Sequence, residues 1–170
     1  FYFSHDSLPS IPPEHDALEC CRAIRQLPLG VMALNVKELG YEAELLQFLD
    51  AEKVLDRVFL FDMELIEPHP GHTASRLRHM CPAVSIAGRG GDRNEPLERA
   101  LGISEAAVIW LDEFDSLWVT RADVARLKSG GKTVYAVSPE LHGFDSDRVE
   151  RRWRSFAAWG VDGICTDYPA

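Results

Sequence analysis

Short runs of apolar, β-branched and aromatic residues punctuate the chain at positions 30–36, 57–61, 83–86, 107–111, 133–137 and 163–165. Hydrophobicity within each run is continuous rather than alternating, the pattern of a parallel strand covered on both faces. Between the runs, apolar residues recur at helical spacing: Leu18, Cys21 and Ile24; Leu45, Leu46 and Leu49; Val124 and Leu127; Val149, Trp153 and Phe156. Punctuation agrees with the period. Thr120 and Asp123 have capping-box spacing, Asp145 or Ser146 can start the last helix, and Gly130-Gly131 and Gly160 can end helices. The centres of the runs lie about 24 to 30 residues apart, the length of one βα unit.

Such a repeat leaves two architectures, an open doubly wound sheet or a closed barrel. The even period favours the barrel, which commonly takes roughly 200 to 250 residues, against 170 here. The sequence therefore predicts an α/β fold, a single (β/α)8 TIM-type barrel domain over residues 1–170 that lacks its first one or two βα units. Residues 1–4 read as a further strand, so the fold is expected to begin upstream of Phe1. Three explanations stay open: a piece of a longer protein, a barrel completed by a partner chain, and a non-catalytic remnant.

A content of 46% hydrophobic and 26% charged residues suits one packed core. The formal net charge of −9 argues against a nucleic-acid partner, whose phosphates call for clustered Lys and Arg, and directs attention to a small substrate. No apolar run reaches the roughly 18 to 20 residues of a membrane span. A soluble, cytoplasmic protein is expected, and a homo-oligomer is compatible with the composition. Cys20, Cys21, Cys81 and Cys165 show no C-x-x-C spacing and read as reduced structural residues.

In a parallel barrel the working groups follow the strands. Polar residues stand at nearly every such position: His5 and Asp6; Asn35 and Lys37; Asp62; Arg89; Asp112, Glu113 and Asp115; Glu140 and His142; Thr166 and Asp167. Any one carboxylate can be a cap or a solvated loop residue, and the convergence carries the argument. An ammonium at the end of a buried strand is costly unless it meets an anion, which marks Lys37. The stretch 88–93, Gly-Arg-Gly-Gly-Asp-Arg, reads either as a phosphate cradle of backbone N–H groups with Arg89 or as a flexible turn of positive φ. Its ending is not that of a P-loop. His69 and His72, beside Pro68 and Pro70, read as a surface loop; Trp118 is a candidate pocket wall, and the other tryptophans are packing residues.

The segments Phe3-Ser-His-Asp6, Ala33-Leu-Asn-Val-Lys37, Phe59-Leu-Phe-Asp-Met63 and the ending Gly160-Val-Asp-Gly-Ile-Cys-Thr-Asp-Tyr-Pro169 resemble the glycerophosphodiester phosphodiesterase family of phospholipase C-like barrels. The resemblance implies that His5 is a general acid/base and that Lys37 neutralises phosphate charge. It puts Asn35 where the family has a metal-ligating glutamate, and the family's first histidine and Glu-x-Asp pair have no counterpart. An amide oxygen still ligates Mg²⁺ or Ca²⁺. Topology, and not the family, adds Asp112 to Asn35 as the charged partner on a divalent metal, and the strand-end positions set Arg89, Asp62, Glu140, His142 and Trp118 toward the substrate. Residues 137–143, Val-Ser-Pro-Glu-Leu-His-Gly, resemble a less characterised branch of the family. The implied activity is metal-assisted hydrolysis of a small glycerophosphodiester. The alternatives are a non-catalytic phosphate-binding barrel and an unrelated TIM-barrel enzyme working through Asp112, Glu140 and His142.

Overall fold

The computed structural model describes residues 1–4, 9–10, 12–28 and 30–168. Helix α1 (Ala17–Gln26) leads to β1 (Met32–Asn35), α2 (Glu42–Ala51), β2 (Val58–Phe61), the one-turn α3 (Met63–Ile66) and α4 (His72–Met80). Then come β3 (Ser85–Gly91), α5 (Leu97–Gly102), β4 (Val108–Asp112), α6 (Arg121–Ser129), β5 (Thr133–Val137), α7 (Ser146–Trp159) and β6 (Gly163–Cys165).

All strand pairs are parallel, and the sheet order is β1-β2-β3-β4-β5-β6. A doubly wound sheet reverses its strand order at a switch point. No reversal occurs here, and the sheet curls as a half-barrel. Eight strands are not formed among the described residues, and residues 1–4 do not supply another barrel strand. Tyr2 makes a single antiparallel bridge to Asp16, and the Phe3 amide donates to the His15 carbonyl at 2.9 Å. Their backbone groups are thus engaged by the segment ahead of α1.

Successive strand residues face opposite sides, and burial divides accordingly. Leu60 and Ile86 pack outward with Leu46, Leu49, Met63 and Leu77, while Ile109, Leu111, Val134 and Ala136 meet Val124, Leu127 and Phe156. The opposite face gathers Ala33, Phe59, Phe61, Ala87, Val108, Trp110, Tyr135 and Val137 into a third cluster, the inside of the curl. Its rings interlock, with centroids 4.9 Å apart for Phe61 and Trp110 and 5.2 Å for Phe59 and Tyr135. Two residues further along, the inner face is occupied by Asn35, Arg89 and Asp112. A polar layer therefore sits directly on an aromatic floor.

The caps follow the sequence closely. Thr120 and Asp123 form a reciprocal capping box, the Asp145 carboxylate accepts from the Arg148 amide, and Gly160 ends α7 at φ 84°. Residues 88–91 lie inside β3, where a cradle or a flexible turn was expected. Close packing explains these glycines better than positive φ: a Cβ on Gly88 would lie 2.9 Å from the Cα and carbonyl oxygen of Ala100, so α5 can approach β3 only over a bare backbone. No helix among the described residues is long and apolar enough to cross a membrane.

Candidate functional site

Arg89 stands at the centre of the polar layer, lifted from the inner face of β3. Its two terminal nitrogens bridge neighbouring strand ends, donating to Asp62 Oδ2 at 2.6 Å and Asp112 Oδ2 at 2.5 Å. The Asn35 amide donates to the same Asp62 oxygen at 2.7 Å. The other Asp112 oxygen, Oδ1, lies 2.5 Å from His142 Nε2. One connected network thus runs from the end of β1 through β2, β3 and β4 to the loop after β5.

Asp62 begins α3 in the left-handed region, at φ 71°, an uncommon conformation for a residue with a Cβ. This turn points α3 back over the sheet, so that Glu64 Oε1 accepts from the Arg89 amide at 2.9 Å. Glu95 lies on the far side, its carboxylate 3.7 Å from Arg89 Nε. The Phe114 ring covers the network, 5.0 Å from the Arg89 guanidinium carbon and 4.6 Å from the His142 ring centroid.

Three carboxyl groups (Asp62, Glu95 and Asp112) flank this one guanidinium, and a fourth, Glu64, meets the backbone amide of the same residue. Burial raises the Asp62 carboxyl to about 6 against the pull of Arg89, with Glu64 and Glu95 reinforcing the rise. Burial also raises Glu64 and Glu95, while the carboxylates hold Arg89 protonated against its own desolvation. Four polar atoms in this cluster are buried without a hydrogen-bond partner among the described residues: Asp62 Oδ1, Glu64 Oε2, Arg89 Nε and Glu95 Oε2.

Comparison with solved structures places this arrangement on a known scaffold. A crystal structure described as "a putative glycerophosphodiester phosphodiesterase from Galdieria sulphuraria" superimposes with a TM-score of 0.63 at 19% identity, over 89% of this chain and 59% of that one. The two chains share a fold. The chain spans 59% of the length of that structure, and at this identity the likeness is one of fold. No protein-family profile matches the sequence, and no curated protein matches it.

The structure brings together Asn35, Asp62, Arg89, Asp112 and His142. His5 lies outside the described residues. Lys37 was expected at the end of a buried strand, but β1 stops at Asn35 and Lys37 is exposed on the following loop, so the burial argument does not apply to it. It lines, with Asn35, Tyr41, Leu60 and Met63, a cavity of about 770 Å³ that borders none of Asp62, Arg89, Asp112 and His142. Trp118 braces the loop, its indole N–H donating to the Asp112 carbonyl at 2.8 Å. Glu140 points into a separate group, accepting from the Ser138 and Thr166 hydroxyls; burial acts to raise its carboxyl, but these hydroxyls hold it below its ordinary value. It also borders a second cavity of about 390 Å³ with Phe144 and Trp153.

The residues do not fit the divalent ion expected at Asn35 and Asp112. Asn35 turns an N–H toward Asp62, both Asp112 oxygens are engaged, and Arg89 fills the space between the two aspartates. Among the described residues no group of three or more His, Cys, Asp or Glu side chains is arranged to hold a metal.

Three members of the site escaped the sequence reading. Glu64 had a signal, since it follows Asp62 by two residues directly after a strand. Glu95 and Phe114 lie in loops with no periodic pattern.

Proposed function

We propose that this chain acts on a small phosphodiester, with His142 as the group that moves the proton. The observation that carries the reading is the His142–Asp112 pair at 2.5 Å, set at the strand ends of a fold shared with a structure described as "a putative glycerophosphodiester phosphodiesterase". With Nε2–H donated to the Asp112 carboxylate, the remaining nitrogen, Nδ1, accepts a proton from an attacking water. Asp112 then stabilises the imidazolium. The water oxygen forms the new bond to phosphorus, the bond from phosphorus to one ester oxygen breaks, and the proton held on His142 passes to the departing alkoxide. A phosphomonoester and an alcohol leave. Lys37 as the group that meets the phosphate and His5 as a second acid/base are what the family resemblance supplies.

The test is turnover of glycerophosphocholine and of bis(p-nitrophenyl) phosphate by the chain and by His142→Ala. The expected loss is roughly 100-fold to 10,000-fold in kcat, as for removal of a general acid/base. Equal rates in the two proteins, or no turnover of either substrate by the parent chain, overturn the reading. Saturable binding of glycerol phosphate without turnover identifies a ligand-binding barrel instead.

A further inference from the structure

We infer that the cavity between α7 and the turns that follow β5 and β6 is a binding site for a quaternary ammonium group. The inference goes beyond the proposed function, and its readout is binding, with no turnover required.

The cavity, of about 390 Å³, has room for a small organic group. Its lining combines three aromatic residues, Phe144, Trp153 and Tyr168, with two carboxylates, Glu140 and Glu150, and among the described residues no Lys, Arg or His borders it. An aromatic ring is negative over its face, so rings and carboxylates together favour a cation and disfavour an anion. A chain of hydrogen bonds fixes this wall. The Trp153 indole N–H donates to the Ser138 hydroxyl at 2.5 Å, and the Ser138 and Thr166 hydroxyls donate to the two oxygens of Glu140. The Tyr168 amide in turn donates to the Thr166 hydroxyl at 3.0 Å. Two aromatic residues from different elements are thus tied about one carboxylate, through a Ser138 that is fully buried. Glu150 and Trp153 stand three residues apart on α7, on one face with the buried Val149. Tyr168 remains 68% exposed, so its ring has surface left to cover a ligand.

The same hydrogen bonds select the kind of cation. Both Glu140 oxygens already accept a hydroxyl and the Trp153 N–H is engaged, yet Glu140 keeps its charge: burial acts to raise its carboxyl, and the hydroxyls hold it below its ordinary value. Glu150 pairs with Arg154, but both are exposed and solvent screens that pair. A primary ammonium brings three N–H donors that call for acceptors. A trimethylammonium group brings none, and is held by charge and ring contact alone. The short turn Pro139–His142 carries Glu140 to this cavity and His142 to Asp112, so the cavity and the proton-transfer pair share one support.

The experiment is titration of choline into the chain at constant ionic strength, read by calorimetry and by tryptophan fluorescence. Two analogues run beside it: the neutral alcohol in which carbon replaces the choline nitrogen, and ethanolamine. Choline is expected to saturate one site per chain, and both analogues to bind at least about tenfold more weakly. Tyr168→Leu should weaken choline by about two- to fivefold, whereas Tyr168→Phe, which keeps the ring, should not. Glu140→Gln should weaken it by about fivefold or more. No saturation by choline overturns the inference, as does equal binding of either analogue. Choline binding unchanged in both Tyr168→Leu and Glu140→Gln overturns it too. Circular dichroism checks folding, and if Glu140→Gln is unfolded, the exposed Tyr168 decides by leucine against phenylalanine. Turnover in His142→Ala bears on the proposed function alone, and choline binding bears on the cavity alone.

Discussion

Asp62→Asn removes one carboxyl from a cluster that holds more negative charge than it can neutralise, and its effect should depend on pH with a definite sign. The Asp62 carboxyl moves from an ordinary value of 3.8 to about 6 on folding, chiefly because it is buried. That difference corresponds to about 3 kcal/mol. The folded chain holds this proton more tightly than the unfolded chain. The stability it contributes is therefore fully present below about pH 4 and is lost as pH rises through about 6. Asparagine neither gains nor loses a proton in this range. Relative to the parent, Asp62→Asn should become more stable by about 3 kcal/mol between about pH 4 and pH 7. Glu64 and Glu95, also raised by burial, act in the same direction and remain in both proteins; because their charges couple to Asp62, the difference reports Asp62 together with that coupling. Urea denaturation at half-unit steps of pH, fitted with a common slope, measures it. A difference constant to within about 0.5 kcal/mol over this range would refute the burial argument.

Two further predictions concern the frame that carries the site. Glu113 is fully buried and paired with Arg152, which also donates to the Val119 carbonyl at 2.6 Å; Arg152→Ala should cost about 3 to 5 kcal/mol in chemical denaturation, and a loss under about 1 would show the pair to be dispensable. Gly88→Ala should cost about 1 to 3 kcal/mol by forcing α5 off β3, whereas Gly102→Ala, which meets open space, should be near neutral; equal effects would remove the packing argument.

The strands were legible because burial on both faces leaves uninterrupted apolar runs. Residues 133–137 and 163–165 match β5 and β6 end to end. The continuation of β3 to Gly91 was not legible because glycines carry no hydrophobic signal, although Gly88 is demanded by Ala100. Helix α4 was not marked by periodicity, since its buried face consists of only Thr73, Ala74 and Leu77. Placement of the polar residues was readable from the strand ends. Their partners were not, because pairing across strands depends on the stagger of the sheet and the reach of each side chain. Arg89 looked like a phosphate ligand by position and proves to be spent on two aspartates.

The spacing of the ladders gives the sheet a mechanical grain. Strands β3 and β4 share five register pairs, whereas β2 and β3 share two, Phe59 with Ser85 and Leu60 with Ile86. The seam between β2 and β3 is therefore held by few backbone bonds toward its carboxyl end. Arg89 crosses that seam, with one nitrogen on the Asp62 side and the other on the Asp112 side. The side chain that organises the polar layer is also the stitch across the joint with the fewest register pairs, so an opening of that joint parts Asn35 and Asp62 from Arg89 while Asp112 and His142 stay together.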